Sequence, residues 1–189
     1  MFRKILLFLI FFNIVFFKSL YGNQKDLLKK NIINQIKSLN SLEFTFFQQI
    51  NEKQENGDCL LKFPGKLKCN YYDDKFKELV INKKKLAITQ KRYNKTYFYP
   101  VSKSQFLNIL YKENLIEIIK KSKINIVNNS IELTYEEKGE LIVIFEKNSL
   151  NLIGWRIVDQ YNNKVSLSIN IIAKNADFNN DTFELPKLN

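Results

Sequence analysis

The chain has 189 residues, 30 Lys or Arg against 19 Asp or Glu, no histidine and two cysteines, for a formal charge of +11. The absence of histidine removes histidine-dependent catalytic triads and the commonest transition-metal ligand in one step. Five isolated glycines form no phosphate-cradling loop, and the two cysteines make neither a Cys-x-x-Cys redox pair nor, without further ligands, a zinc site.

Met1 to Lys4 is short and basic, and the apolar run ILLFLIFFNIVFF follows it. A run of about 13 residues suits the hydrophobic region of a secretory leader and falls short of the roughly 17 to 25 needed to span a bilayer. Residues 1–22 are therefore expected to be a signal peptide, and residues 23–189 one domain of an oxidising, extracytoplasmic space. No cysteine follows the expected cleavage point, so no lipid anchor is expected there. Removal of Arg3, Lys4 and Lys18 leaves 27 basic against 19 acidic groups, a charge of +8. Export makes nucleic acid an unexpected partner. The excess charge suits either a weak attraction to anionic lipid surfaces or a solvated, lysine-rich exterior.

From Asp26 to Leu39, Leu28, Ile32, Ile33, Ile36 and Leu39 recur at helical spacing and predict one amphipathic helix. Leu42, Phe44 and Phe46 then alternate with Glu43, Thr45 and Phe47, and extended chain continues for about six strands up to Tyr99. Turns are expected near Asn56-Gly57, Pro64-Gly65, Asp73-Asp74, Asn82-Lys83 and Asn94-Lys95. The segment SKSQFLNILYKENLIEIIKKS suits one or two short helices, with Ser102 as a candidate cap. Strands resume at SIELTYEE, ELIVIFEK, LIGWRIVD and KVSLSINIIAKN, and TFEL reads as a last short strand before Pro186. With no parallel crossover pattern, the fold class is mainly β with helices: a long, curved antiparallel sheet with an N-terminal helix and a central helical excursion over one face.

Both cysteines fall in one expected hairpin. Cys59, Leu61 and Phe63 share a face, as do Leu67, Cys69 and Tyr71, on either side of Pro64-Gly65. A two-residue loop would set Cys59 opposite Asn70, whereas a loop of Phe63 to Gly65 would set it opposite Cys69. The pair is then either a disulfide or two small apolar side chains in a strand interior. Catalysis by converging carboxylates would have to use Asp73, Asp74, Glu136, Glu137 or Asp159, which sit mostly at expected strand ends, where solvated turn acids are ordinary. No enzymatic activity, cofactor or metal is expected. The apolar sheet face either packs solid or encloses a pocket, and patterning alone does not separate the two.

The order of motifs resembles the periplasmic lipoprotein carriers of the LolA family over nearly the whole chain beyond the leader. The helix leading into SLNSLEFTFFQQ is similar to the family's helix and Phe-x-Gln strand, with Phe46 and Gln48 at the matching places. GDCLLKFPGKLKCNY resembles its Gly-x-x-x-x-Lys-x-Pro hairpin through Gly57, Lys62 and Pro64. LVINKKKLAIT, SQFLNIL, LIGWRIVDQYNNKVSLSI (with Asp159) and FNNDTFELP resemble later strands, the start of the lid helix and the closing segment. Phe63 stands where the family carries an arginine that ties barrel to lid, Asn82 and Lys83 replace an aspartate and glycine, and Cys69 and Ala87 replace two tryptophans.

The resemblance implies an incomplete antiparallel barrel, or half-barrel, roofed by helices, whose apolar cavity shields lipoprotein acyl chains in the periplasm. Phe44, Phe46, Leu61, Phe63, Leu67, Cys69 and Tyr71 would line that cavity, and Phe106, Leu107 and Leu110 would cover it. Implied partners are lipoproteins, an inner-membrane lipoprotein-releasing transporter, an outer-membrane acceptor and, transiently, membrane surfaces, with the protein a monomer. A lipid or lipoprotein sensor of the same fold is the alternative, and a carboxylate-dependent hydrolase a more distant one.

Overall fold

A computed structural model of the protein describes residues 24–101, 110–137, 139–158 and 162–187. The expected leader therefore lies outside the described residues, as do Ser102, Phe106, Leu107 and Asp159. Among the described residues, no helix is long and apolar enough to cross a membrane.

Helix α1 covers residues 24–38 and ends just ahead of strand β1, Ser41–Ile50. Its apolar stripe is short: Ile32 and Ile36, one helical turn apart, are buried, and Leu39 follows them down. Strands β2 (Lys53–Lys62), β3 (Lys66–Tyr71), β4 (Lys77–Asn82), β5 (Lys85–Gln90) and β6 (Lys95–Pro100) follow as a meander. Helix α2 (Lys112–Lys121) interrupts it, and β7 (Lys123–Val127), β8 (Ser130–Tyr135), β9 (Leu141–Glu146), β10 (Leu152–Val158) and β11 (Lys164–Lys174) complete the set. The strands form one 11-stranded sheet in the order β6-β5-β4-β3-β2-β1-β11-β10-β9-β8-β7, antiparallel throughout. Strands β6 and β7 remain edges, so the sheet is open, as expected of an incomplete barrel.

α2 buries Leu115, Ile118 and Ile119 at the spacing of one helix face. Glu113 in its first turn and Lys120 and Lys121 in its last suit the helix dipole, and the Ser122 hydroxyl donates back to the Ile118 carbonyl to close the end. Both helices lie against the core formed by the inward residues of the strands. The opposite face of the sheet is covered locally by the C-terminal segment. There Phe183 is fully buried, and Val80 and Ala87, which face each other across β4 and β5, are buried too. Lys62 donates to the Phe178 carbonyl, Lys66 to Asn180 and Asn82 to the Phe183 carbonyl, strapping this segment down.

Three details differ from the sequence-based expectations. Asn56-Gly57 is no turn but lies inside β2, and the chain reverses at Asn51-Glu52, with Asn51 at φ 52°. TFEL is not a strand: residues Asn180–Phe183 form a 3-10 turn, opened by Asn179, whose side chain accepts from the Asp181 amide. With the sheet already bounded by β6 and β7, this segment finds a packing site on the convex face instead of a strand partner. Finally, β7 is an additional strand, hidden in sequence because Ile124 and Ile126 follow α2 without a break in the apolar pattern.

Candidate functional site

The register of the first three strands builds the concave wall row by row. Leu42, Leu61 and Leu67 lie abreast, then Phe44, Cys59 and Cys69, then Phe46, Gly57 and Tyr71. The three residues Phe63 to Gly65 form the loop between β2 and β3, so parity places the cysteines opposite each other. They are bonded, with an S–S distance of 2.00 Å and Cα atoms 4.1 Å apart. Such a bond is consistent with an extracytoplasmic location.

Gly57 has a steric reason to be in mid-strand. A Cβ there would lie 2.0 Å from the Asn70 carbonyl oxygen and 2.8 Å from the Phe46 ring. Leaving that position bare lets Phe46 and Tyr71 meet across it, their rings 5.0 Å apart and edge to face at 74°. Continuing along β1, Gln48 stands opposite Glu55, where the apolar wall gives way to ions. Lys53 and Lys77 each approach Glu55 to 2.6 Å, and Lys77 also sits 3.7 Å above the Tyr71 ring. Burial opposes ionisation of Glu55, but hydrogen bonds from Lys53 and Lys77 outweigh it and hold the carboxyl below its ordinary range. Burial, helped by the Glu55 and Asp73 carboxylates, pushes the Tyr71 phenol up to about 12.

These rows and the facing strands line an apolar hollow of about 60 Å³. Of the residues expected to line or cover it, Phe44, Phe46, Leu61, Leu67, Cys69, Tyr71 and Leu110 stand at its wall. Phe63 is not among the lining residues; it occupies the hairpin loop, where alternation lapses, and its partly buried ring lies 5.4 Å from the Lys112 ammonium. Leu42, Gln48, Cys59 and Leu79 add to the near wall, and Leu152, Trp155, Leu167 and Ile169 form the far one. The far wall was missed because it depends on the pairing of β1 with β11, which sets Phe46 beside Ile169 and Gln48 beside Leu167. The clean alternation in β11 was the available signal.

Leu110 and Tyr111 hold the roof to the sheet through backbone contacts. The Gly65 amide donates to the Leu110 carbonyl at 2.9 Å, and the Tyr111 hydroxyl donates to the Lys83 carbonyl at 3.1 Å. Gly65 has φ 68°, a conformation that favours glycine, and a Cβ there would lie 2.6 Å from the Tyr111 oxygen and push that side chain aside. Cross-braces join the two helices: Lys29 reaches the Ser122 carbonyl at 2.6 Å, and Lys112 reaches the Lys37 carbonyl at 3.1 Å. Lid and hairpin are thus tied at the loop that carries Phe63, by main-chain groups and one tyrosine.

Among the described residues, the candidate carboxylates Asp73, Glu136 and Glu137 do not converge. Asp73 accepts from the Lys75 and Lys77 amides within the β3–β4 turn. Glu136 pairs with Lys123 and Glu137 with Lys121, beyond β8 in the other half of the sheet.

No curated protein matches the chain. Among solved structures, LprF from Mycobacterium bovis is similar with a TM-score of 0.50 and 12% identity, covering 83% of this chain and 95% of its own. An uncharacterised conserved protein from Thermus thermophilus has a TM-score of 0.52 at 9% identity, over 84% of this chain and 94% of its own. MucB of Pseudomonas aeruginosa, solved in complex with MucA, has a TM-score of 0.50 at 9% identity over 87% of this chain, which spans only 61% of that one. At such identities the likeness is one of fold. The family model for the outer membrane lipoprotein carrier protein LolA matches residues 37–186, from the end of α1 through the C-terminal strap, and on that match the chain belongs to the LolA family.

Proposed function

We propose that the protein is a non-enzymatic periplasmic carrier, exported by a signal peptide at residues 1–22, whose domain from residue 23 onward takes up lipoprotein acyl chains beneath its helical lid. The apolar hollow between the sheet and Leu110 is the observation that carries this proposal. Exposing one 16-carbon chain to water costs on the order of 12 kcal/mol at about 0.8 kcal/mol per methylene, so a shield is needed for transfer between membranes.

The hollow itself constrains how loading works. Its volume of about 60 Å³ is well under the roughly 150 Å³ of an apolar cavity known to admit benzene, so the lid must move before a fatty tail enters. The two lid-to-sheet hydrogen bonds and the two lysine braces, at about 0.5 to 1.5 kcal/mol each, sum to roughly 2 to 6 kcal/mol. Acyl burial exceeds what these bonds contribute, and the apolar surface around Leu110 that opening bares is covered again by the tail, which leaves binding favourable yet reversible. In the loaded form the tails would lie along the Leu42 to Phe46 rows, with the polar end of the lipid toward Gln48 and Tyr71.

The test is to purify the exported protein and analyse it for copurifying acylated polypeptide by mass spectrometry, then to offer a lipoprotein in detergent-free buffer. Uptake is expected in a one-to-one complex. Recovery of delipidated protein alone, with no uptake, would refute the proposal.

A further inference from the structure

The edge of the sheet farthest from β7 carries a concentration of charge and aromatic surface that lipid uptake does not use. Residues 83–100 include Lys83, Lys84, Lys85, Lys91, Arg92 and Lys95 and not one acidic residue. Lys91 is paired with Glu78, and Arg92 donates to the Asp74 carbonyl; Asp73 and Asp74 are the other acids nearby. Between the two basic ends, β6 exposes Tyr97 (44%), Phe98 (37%) and Tyr99 (48%), and Tyr93 (51%) stands in the adjoining turn. Strand alternation puts Tyr97 and Tyr99 on one face of β6 and Phe98 on the other, so aromatic side chains flank on both sides a strand edge that, among the described residues, has no partner strand.

We infer that this edge is a docking surface for an anionic phospholipid bilayer, entered edge-on to the depth of the headgroups. Tyrosines prefer the membrane interface, where the ring is buried and the hydroxyl stays wet, and lysines at both ends meet a negative surface. Unpaired strand amides and carbonyls could not enter hydrocarbon but remain solvated among headgroups, which fixes a shallow depth. Addition of a peptide strand is disfavoured at the same edge, because Lys95 at one end and Pro100 at the other are features that blunt strand pairing. This inference is independent of the carrier proposal, since a protein that holds no acyl chain would bind vesicles through the same edge.

The experiment is flotation of the cargo-free protein with vesicles of phosphatidylglycerol and phosphatidylethanolamine, compared with phosphatidylcholine alone. Binding is expected only to the anionic vesicles and is expected to fall steeply with salt. Lys84→Gln, Lys85→Gln and Lys95→Gln together should weaken it by about a hundredfold, and Tyr97→Ser with Tyr99→Ser by at least tenfold, each with native circular dichroism. A control losing the same charge elsewhere, Lys30→Gln, Lys37→Gln and Lys147→Gln, should change binding by less than about threefold. Equal loss in the control, binding to neutral vesicles alone, or no vesicle binding would each overturn the inference. So would self-association through this edge, seen by sedimentation as a dimer that the tyrosine variant abolishes. Lipoprotein uptake in solution by the lysine variant reads the carrier proposal separately.

Discussion

Reduction of the Cys59–Cys69 bond is expected to loosen the protein without disabling it. The bond joins residues separated by 10 in sequence, and the loop-closure entropy it removes from the unfolded chain is worth about 2.7 kcal/mol at 25 °C. Both sulfurs lie in the wall of the hollow, with Cys59 at 3% and Cys69 at 5% exposure. Two thiols in that wall remain small and apolar, so neither register nor lining changes on reduction. For a domain of this size each kcal/mol shifts the melting midpoint by about 2 to 4 °C, and reduction should lower it by roughly 5 to 10 °C. Scanning calorimetry with and without a phosphine reductant measures the shift, and lipoprotein uptake at 25 °C measures the consequence. An unchanged midpoint would refute the entropic account. Loss of uptake while near-ultraviolet dichroism stays native would refute the purely structural role.

Gly57→Ala should cost several kcal/mol, because the added methyl collides with main chain at Asn70, which cannot swing aside as a side chain would; urea denaturation tests it, and a loss under about 1 kcal/mol would count against the clash. Tyr111→Phe removes the lid's bond to Lys83 and should favour the open lid about fivefold, seen as faster amide exchange in α2 with little change in global stability. Gly65→Ala should add a penalty of about 1 kcal/mol for its positive φ and displace Tyr111, so the two variants together should be clearly less than additive. Tyr71, with its phenol raised to about 12, favours the protonated folded state; its contribution is whole below the unfolded value near 10 and is lost as pH rises from there through about 12. Difference titration of the wild type against Tyr71→Phe by ultraviolet absorbance should place this ionisation near pH 12, and a value near 10 would show the ring to be better solvated than its packing implies.

Local periodicity made much of this fold legible. Ile32 and Ile36 announced α1, and period-two alternation announced the strands around the sheet. Parity of the hairpin loop limited the partner of Cys59 to Cys69 or Asn70, and the three-residue loop decided it. Misreadings came where a residue type has two physical uses. Gly57 serves the Phe46–Tyr71 contact, not a turn, and Phe183 fills a convex pocket instead of extending a strand. The near wall of the hollow follows from consecutive strands. Its far wall, Trp155, Leu167 and Ile169, follows from a pairing between the first and last strands that no local pattern encodes.

That pairing also sets an order of events as the chain emerges to fold. The meander from β1 to β6 can zip as it emerges, since each strand meets its predecessor within a few residues. β1, however, presents its second flank to a strand that ends at Lys174, so this flank stays unsatisfied until the chain has emerged as far as β11. A nascent chain in this interval displays a naked, phenylalanine-rich ribbon, and it is there, before the seam closes, that a holding chaperone would have the most to grip.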